Sequence, residues 1–330
     1  MPTVAIHCKT SMSDGMGHVY RQINLANELK KTGWEVSFYV PHFAPAIDLL
    51  TQTDFIPVIT DPKSSVVEYF DKFFDFVILD IQDTAESLIY SLKKYTHHIA
   101  SFEDLGTGRN HVDILIDCNL SPSEIKNLPS STRGLFGTDY SVLHPDFAYY
   151  HNQSRNFGTC LQSALISMGA TDPKNLTLPL TSFVLQEKHN LKLTVLIGHN
   201  PNITPELNQL SNQSKLLDVL GPVPNMAQIL WGHDAVICSG GVTLHEAMAV
   251  GTPAFVVNQV AHQQTKARFV EKSGAAINLG MGNRHDEEKF REALDFKKPK
   301  LELMSLKAKQ LIDGRGIFRV IDAMSKLTTV

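Results

Sequence analysis

Three glycine-bearing loops hold the residues with the most chemistry to offer. The first reads Ser13-Asp14-Gly15-Met16-Gly17-His18-Val19-Tyr20-Arg21. Gly15 and Gly17 let the backbone come close to a ligand, and a helix opening here aims its amide donors at the same space. His18 stands at the start of that helix, where a neutral imidazole can take a proton from water. A polar turn with a helix-start histidine accounts for the same residues. The second loop, Ser239-Gly240-Gly241-Val242-Thr243-Leu244-His245-Glu246, follows an apolar strand and opens a helix. The amides of Gly240, Gly241 and Val242 and the hydroxyls of Ser239 and Thr243 can cradle a diphosphate. Glu246, further along the helix, would accept hydrogen bonds from two ribose hydroxyls. The plain alternative is a tight strand-to-helix turn with a solvated Glu. The third loop, Met168-Gly169-Ala170-Thr171-Asp172-Pro173, offers Gly169 and Thr171 to the same ligand, or is an ordinary turn. Gln263 and Gln264 carry amides that suit sugar hydroxyls, although an exposed helix start uses the same residues.

Other chemistries lack their residues. Fourteen histidines form no HExxH, and the sequence holds no DxD, GxSxG, Walker or GxGxxG pattern. We therefore expect no metal and no cofactor, so that backbone amides and helix termini would stabilise a departing diphosphate. The four cysteines, Cys8, Cys118, Cys160 and Cys238, form no CxxC pair and read as reduced thiols.

The elements that must position these loops alternate. Val4–His7, 35–40, 76–80, 99–102 and 113–116 read as strands with helical segments among them. Val19, Ile23, Ala26 and Leu29 mark one face of the first helix, and Gly33 ends it. The second half repeats the theme at 164–168, 193–197, 235–238 and 254–257. This alternation predicts an α/β protein of two doubly wound, Rossmann-like parallel-sheet domains. We place them at residues 1–150 and 151–330, with the final helix able to pack back on the first domain. Ligands of such sheets sit at the carboxyl ends of the strands, here expected to face an interdomain cleft. The segment Tyr69-Phe70-Asp71-Lys72-Phe73-Phe74 reads equally as a core helix or as part of an apolar surface patch.

Composition fits this reading. The chain has 330 residues, 43% of them hydrophobic, and a net charge of −4, so it has no bulk attraction for nucleic acid or anionic lipid. We expect no nucleic-acid partner, no obligatory protein partner, no signal peptide, no transmembrane helix and a cytoplasmic location.

In combination the motifs resemble a family. Gly15-Met16-Gly17-His18-Val19-Tyr20-Arg21 resembles the G-x-G-H-x-x-R segment of the nucleotide-sugar hydrolases of pseudaminic acid synthesis. Ser101-Phe102-Glu103-Asp104, Asp113–Asn119, Gly137–Phe147, Ser167–Pro173 and Asp313–Val320 are similar to further segments of that family, in order along the chain. The stretch from Ser239 to Pro253, with Gln263-Gln264 and Gly274-Ala275-Ala276, resembles the nucleotide-sugar half of the related peptidoglycan N-acetylglucosaminyltransferase. The resemblance implies a GT-B fold and a UDP-sugar substrate. It implies the nucleotide on Gly15, Gly17, Gly169, Ser239, Gly240, Gly241, Thr243 and Glu246, and the sugar on Arg21, Gln263 and Gln264. It also implies His18 as the base for water attacking the anomeric carbon, with inversion and without metal. An inverting glycosyltransferase of the same fold is the alternative, and a non-catalytic sugar-nucleotide sensor is a third reading. The family's arginine and second glycine stand here as His144 and Ala170, and the identity of the sugar stays open.

Overall fold

The computed structural model describes residues 1–12, 14–119, 128–198, 204–282 and 284–328. The chain divides into two compact units, Met1–His144 with Arg315–Val330, and Pro145–Gly314. The chain thus passes between units twice, at 144/145 and 314/315.

The first unit runs β1 (Thr3–Cys8), α1 (Gly17–Lys31), β2 (Glu35–Pro41), α2 (Ala44–Gln52), β3 (Val58–Thr60), β4 (Phe74–Asp80), α3 (Glu86–Leu92), β5 (Thr96–Phe102), β6 (Ile114–Asp117) and β7 (Arg133–Phe136). The second runs α4 (Asp146–His151), β8 (Ser163–Ser167), α5 (Thr177–Glu187), β9 (Lys192–Leu196), α6 (Thr204–Gln213), β10 (Leu217–Leu220), α7 (Met226–Trp231), β11 (Ala235–Cys238), α8 (Val242–Val250), β12 (Ala254–Asn258), α9 (Ala261–Ser273), β13 (Ala276–Met281), β14 (Arg284–His285), α10 (Glu287–Leu294) and α11 (Lys298–Leu311). The last helix, α12 (Gly316–Thr328), belongs to the first unit and packs against α1.

The two sheets share one winding. Each has seven strands, ordered β3-β2-β1-β4-β5-β6-β7 and β10-β9-β8-β11-β12-β13-β14. All pairings are parallel except β13 with β14. The winding reverses direction between β1 and β4 and between β8 and β11, the positions at which doubly wound sheets bind their ligands. The strands are near-continuous apolar runs because helices cover both faces. In β4, Phe74, Phe76, Val77, Ile78 and Leu79 are all fully buried. In β12, Ala254, Phe255, Val256 and Val257 are too.

Helix α1 buries the stripe Val19, Ile23, Ala26 and Leu29. It opens at Gly17, which puts His18 inside its first turn. The apolar segment 69–74 forms no helix. A 3-10 turn over Val66–Tyr69 leads into the first residue of β4, and Phe73 stays about half exposed. Phe70 instead meets Tyr39 and Phe74 edge-on, at centroid distances of 4.8 and 5.1 Å.

Candidate active site

In the first unit the chemistry gathers at the crossover point between β1 and β4. Register places Cys8 of β1 opposite Asp80, the last residue of β4. His18 in the first turn of α1 meets that carboxylate, with Nδ1 2.6 Å from Asp80 Oδ1. Asp80 is fully buried and receives three other side-chain donors. Arg21 Nε donates to Oδ2 at 2.9 Å, Arg21 Nη2 to Oδ1 at 2.7 Å, and Gln22 Nε2 to Oδ2 at 2.8 Å. Burial alone would push the Asp80 carboxyl up. The Arg21 and His18 charges and their hydrogen bonds outweigh it and hold the group down at about 2. An ionised carboxylate can only accept, so the imidazole nitrogen facing it carries a proton. Arg21 Nη2 also lies 3.3 Å from Nδ1, but with both nitrogens acting as donors that approach is no hydrogen bond, and the two share Oδ1 as their acceptor. In the neutral ring Nε2 then bears the lone pair, which is the arrangement of a general base.

The sequence reading missed Asp80, which sits 62 residues from His18. Arg21, expected on the sugar, is engaged internally in this structure. The guanidinium is buried and all three of its nitrogens donate inward. Nη1 reaches Glu103 Oε1 at 2.8 Å, and the planar group lies over the Phe102 ring at 5.1 Å. Arg21 is the clamp between two carboxylates that fixes Asp80. Gly15 adopts φ +79° and its amide donates to Ser11 O at 2.9 Å, closing a turn. That donor is therefore committed, whereas Gly17, the first residue of α1, has the free amide of a helix start. Ser13 lies outside the described residues. Asp14 is held in place by Lys9 Nζ at 2.6 Å and by the Ser11 hydroxyl at 2.6 Å.

In the second unit three loops leave the carboxyl ends of β8, β11 and β12. Gly240 packs so closely that a Cβ there would lie 2.6 Å from Asn258 Oδ1 and 2.8 Å from Gln263 O. The first turn of α9 is thus pressed against the loop that opens α8, and two helix N-termini converge on one spot. Gly241 is different. A Cβ there would meet only the ends of Ser239 and Gln263, at 3.6 and 3.7 Å, so its open side is available to a ligand. Gln259 ties the loops together: its Nε2 donates to Met168 O at 2.6 Å, and its backbone amide donates to Gln263 Oε1 at 2.8 Å. Gly169 takes φ +89° with open space beside it. Thr171 is buried next to Asp172, which caps α5 by accepting from the Leu176 and Thr177 amides at 3.0 and 2.9 Å.

Glu246 is half-buried in α8, one turn in from the helix start. Burial raises its carboxyl to about 7, against the opposing hydrogen bond from Thr243. That is the behaviour of an acceptor desolvated ahead of its donors. Gln264, next to Gln263 in α9, is half-buried and makes no side-chain hydrogen bond among the described residues. No group of three or more His, Cys, Asp or Glu able to hold a metal ion occurs among the described residues.

Two seven-stranded doubly wound sheets match known structures along nearly their whole length. The fold is GT-B. MurG of Acinetobacter baumannii superposes with a TM-score of 0.63 at 17% identity, covering 99% of this chain and all of that one. S. aureus MnaA, solved with UDP, does so at 0.64 and 11%, covering 97% and 95%. Residues 168–312 match the glycosyltransferase family 28 C-terminal domain. The spore coat polysaccharide biosynthesis protein SpsG of Bacillus subtilis is 27% identical over 98% of both chains. An uncharacterized protein of Methanocaldococcus jannaschii is 26% identical over 78% of this chain, which spans 55% of that relative's length. These likenesses give the GT-B fold and a second unit similar to a glycosyltransferase domain, and they do not carry the finer resemblance to hydrolases of pseudaminic acid synthesis. No described helix is long and apolar enough to cross a membrane.

Proposed function

We propose that the chain is an inverting glycosyltransferase that uses a UDP-sugar donor in the synthesis of a cell-surface polysaccharide. The observation that carries an enzymatic reading is the His18–Asp80 pair. A sensor has no use for a histidine whose Nε2 is freed by a buried, ionised carboxylate. In this reading the second unit holds the nucleotide, with the diphosphate on Ser239, Gly240, Gly241 and Thr243 and the ribose on Glu246. Gly169, Gln263 and Gln264 serve the sugar and its phosphate. His18 Nε2 removes the proton from an acceptor hydroxyl as that oxygen attacks the anomeric carbon. The C1–O bond breaks on the opposite face, and the electron pair leaves with UDP. Amides and helix termini at Gly240 and Gly241 take up the developing charge in place of a cation. SpsG, named for polysaccharide biosynthesis, and the family 28 match support transfer.

Hydrolysis of a UDP-activated deoxy-acetamido sugar is the second reading, favoured by the Gly15–Arg21 segment that carries the histidine. The same base would then activate water. Incubation with a panel of UDP-sugars, with and without a membrane-derived acceptor fraction, separates the two. Transfer requires acceptor for UDP release, while UDP formed equally fast without acceptor, with ¹⁸O from water appearing in the sugar, sinks transfer and supports hydrolysis. Under either reading His18→Ala lowers turnover by roughly 10²–10⁴-fold and leaves UDP affinity near its starting value. Full activity of that variant would remove the mechanism.

A further inference from the structure

A cavity of about 280 Å³ opens in the second unit, on the side of Gln259 that the glycine loop does not line, and the readings above give it no task. It is lined by Lys174, Leu176, Gln259, Met281, Gly282 and Arg284. These come from three places that only the fold unites: the segment after β8, the end of β12, and the turn between β13 and β14. Leu176 and Gln259 are buried and Met281 is half-buried, so the floor is largely apolar. The Gln259 amide is anchored at both ends, since Oε1 accepts from Lys174 N at 3.3 Å and Nε2 donates to Met168 O. The wall is therefore rigid before any ligand arrives, which lowers the cost of binding. Lys174 and Arg284 are exposed, and neither side chain has a carboxylate partner among the described residues. Two unpaired cations at one mouth are notable in a chain whose net charge is −4. The volume falls just below the roughly 300 Å³ at which pockets for drug-sized ligands begin.

We propose that this cavity binds a small phosphomonoester, such as a sugar monophosphate. Its phosphate would lie between Lys174 and Arg284, and the apolar face of its body on Leu176 and Met281. Arginine gives a phosphate two parallel donors and lysine gives a point charge, a combination that suits a dianion at a partly open mouth. The apolar floor is what would separate an ester from free phosphate, because a bare ion gains nothing from it.

The test is calorimetric titration of the full chain with glucose 1-phosphate, inorganic phosphate and glucose in separate runs. Glucose 1-phosphate should bind with one site per chain, more tightly than inorganic phosphate, and glucose should give no signal. The double variant Lys174→Ala/Arg284→Ala should bind at least about tenfold more weakly, and the charge-reversed pair Lys174→Glu/Arg284→Glu not at all. Both side chains are exposed, so both variants should keep the parent unfolding midpoint. Gly241→Ala should leave this binding unchanged, which separates the cavity from the nucleotide loop. Unaltered binding in the double variant, loss of binding in Gly241→Ala, equal affinity for inorganic phosphate, or no binding at all would each overturn the proposal.

Discussion

The two sheets are wound alike, yet the candidate sites at their crossover points are built from opposite materials. The first unit works with side-chain charge. His18, Arg21, Gln22, Asp80 and Glu103 form one hydrogen-bonded set around the end of β4, with Arg21, Gln22 and Asp80 buried. The second unit works with backbone. Its loop at Gly240 and Gly241 is valuable because side chains are missing there and the first turn of α9 can close in. Charge fixed by other charges suits a group that must exchange a proton in one orientation. Bare amides at helix starts suit an anion that must be held without covalent change. One winding therefore supplies two kinds of site, and the residues grafted on it decide which.

Replacing Asp80 should give the largest effect. Asp80→Ala leaves the buried Arg21 guanidinium with Glu103 alone, and such losses cost about 3–5 kcal/mol. Urea unfolding should show it, and turnover should fall with it because His18 loses its orienting partner. The same carboxylate has a signature in acid. Its folded value, about 2, lies below that of an unfolded aspartate, so its contribution is complete above about pH 4 and fades as the pH falls towards 2. If the first unit did not depend on side-chain charge, the variant would unfold like the parent.

The glycine pair sharpens the other half of the comparison. Gly240→Ala forces a Cβ into Asn258 and the Gln263 backbone, so both stability and UDP affinity should drop, the former by about 1–3 kcal/mol. Gly241→Ala meets only ordinary contacts, so the protein should unfold like the parent while UDP binds more weakly. Equal UDP affinity in Gly241→Ala would remove the diphosphate from this loop.

Glu246 tests whether one side-chain charge matters in the backbone-built site. Its raised value, about 7, means that ionisation costs the ligand-free protein stability as pH rises from about 4.5 to 7. Ribose hydroxyls that donate to the carboxylate would lower that value, so UDP binding should strengthen across the same range, by at most about tenfold per pH unit, and then level off. In Glu246→Gln this part of the pH dependence should vanish from the calorimetric profile. The smallest change is expected at Gly169→Ala. There the space is open and only the positive φ resists, so thermal unfolding should register about 1–2 kcal/mol.

The sequence by itself determined the alternation of strands and helices, the apolar stripe of α1, the glycine loops after β8 and β11, and the place of His18 at a helix start. Those features depend on neighbours within a few residues, through side-chain period and turn chemistry, and such signals survive in a linear string. The segment 69–74 shows the limit, because six apolar and charged residues carry no period that separates a helix from a turn entering a strand. The partner of His18 was decided only by the tertiary structure. Asp80 lies beside it because the winding sets β4 against β1, and nothing local in either segment announces that pairing. Arg21 looks like a ligand-binding arginine in sequence and becomes an internal clamp once Asp80 and Glu103 close on it. The charge state of Glu246 likewise follows from burial, which the whole unit creates.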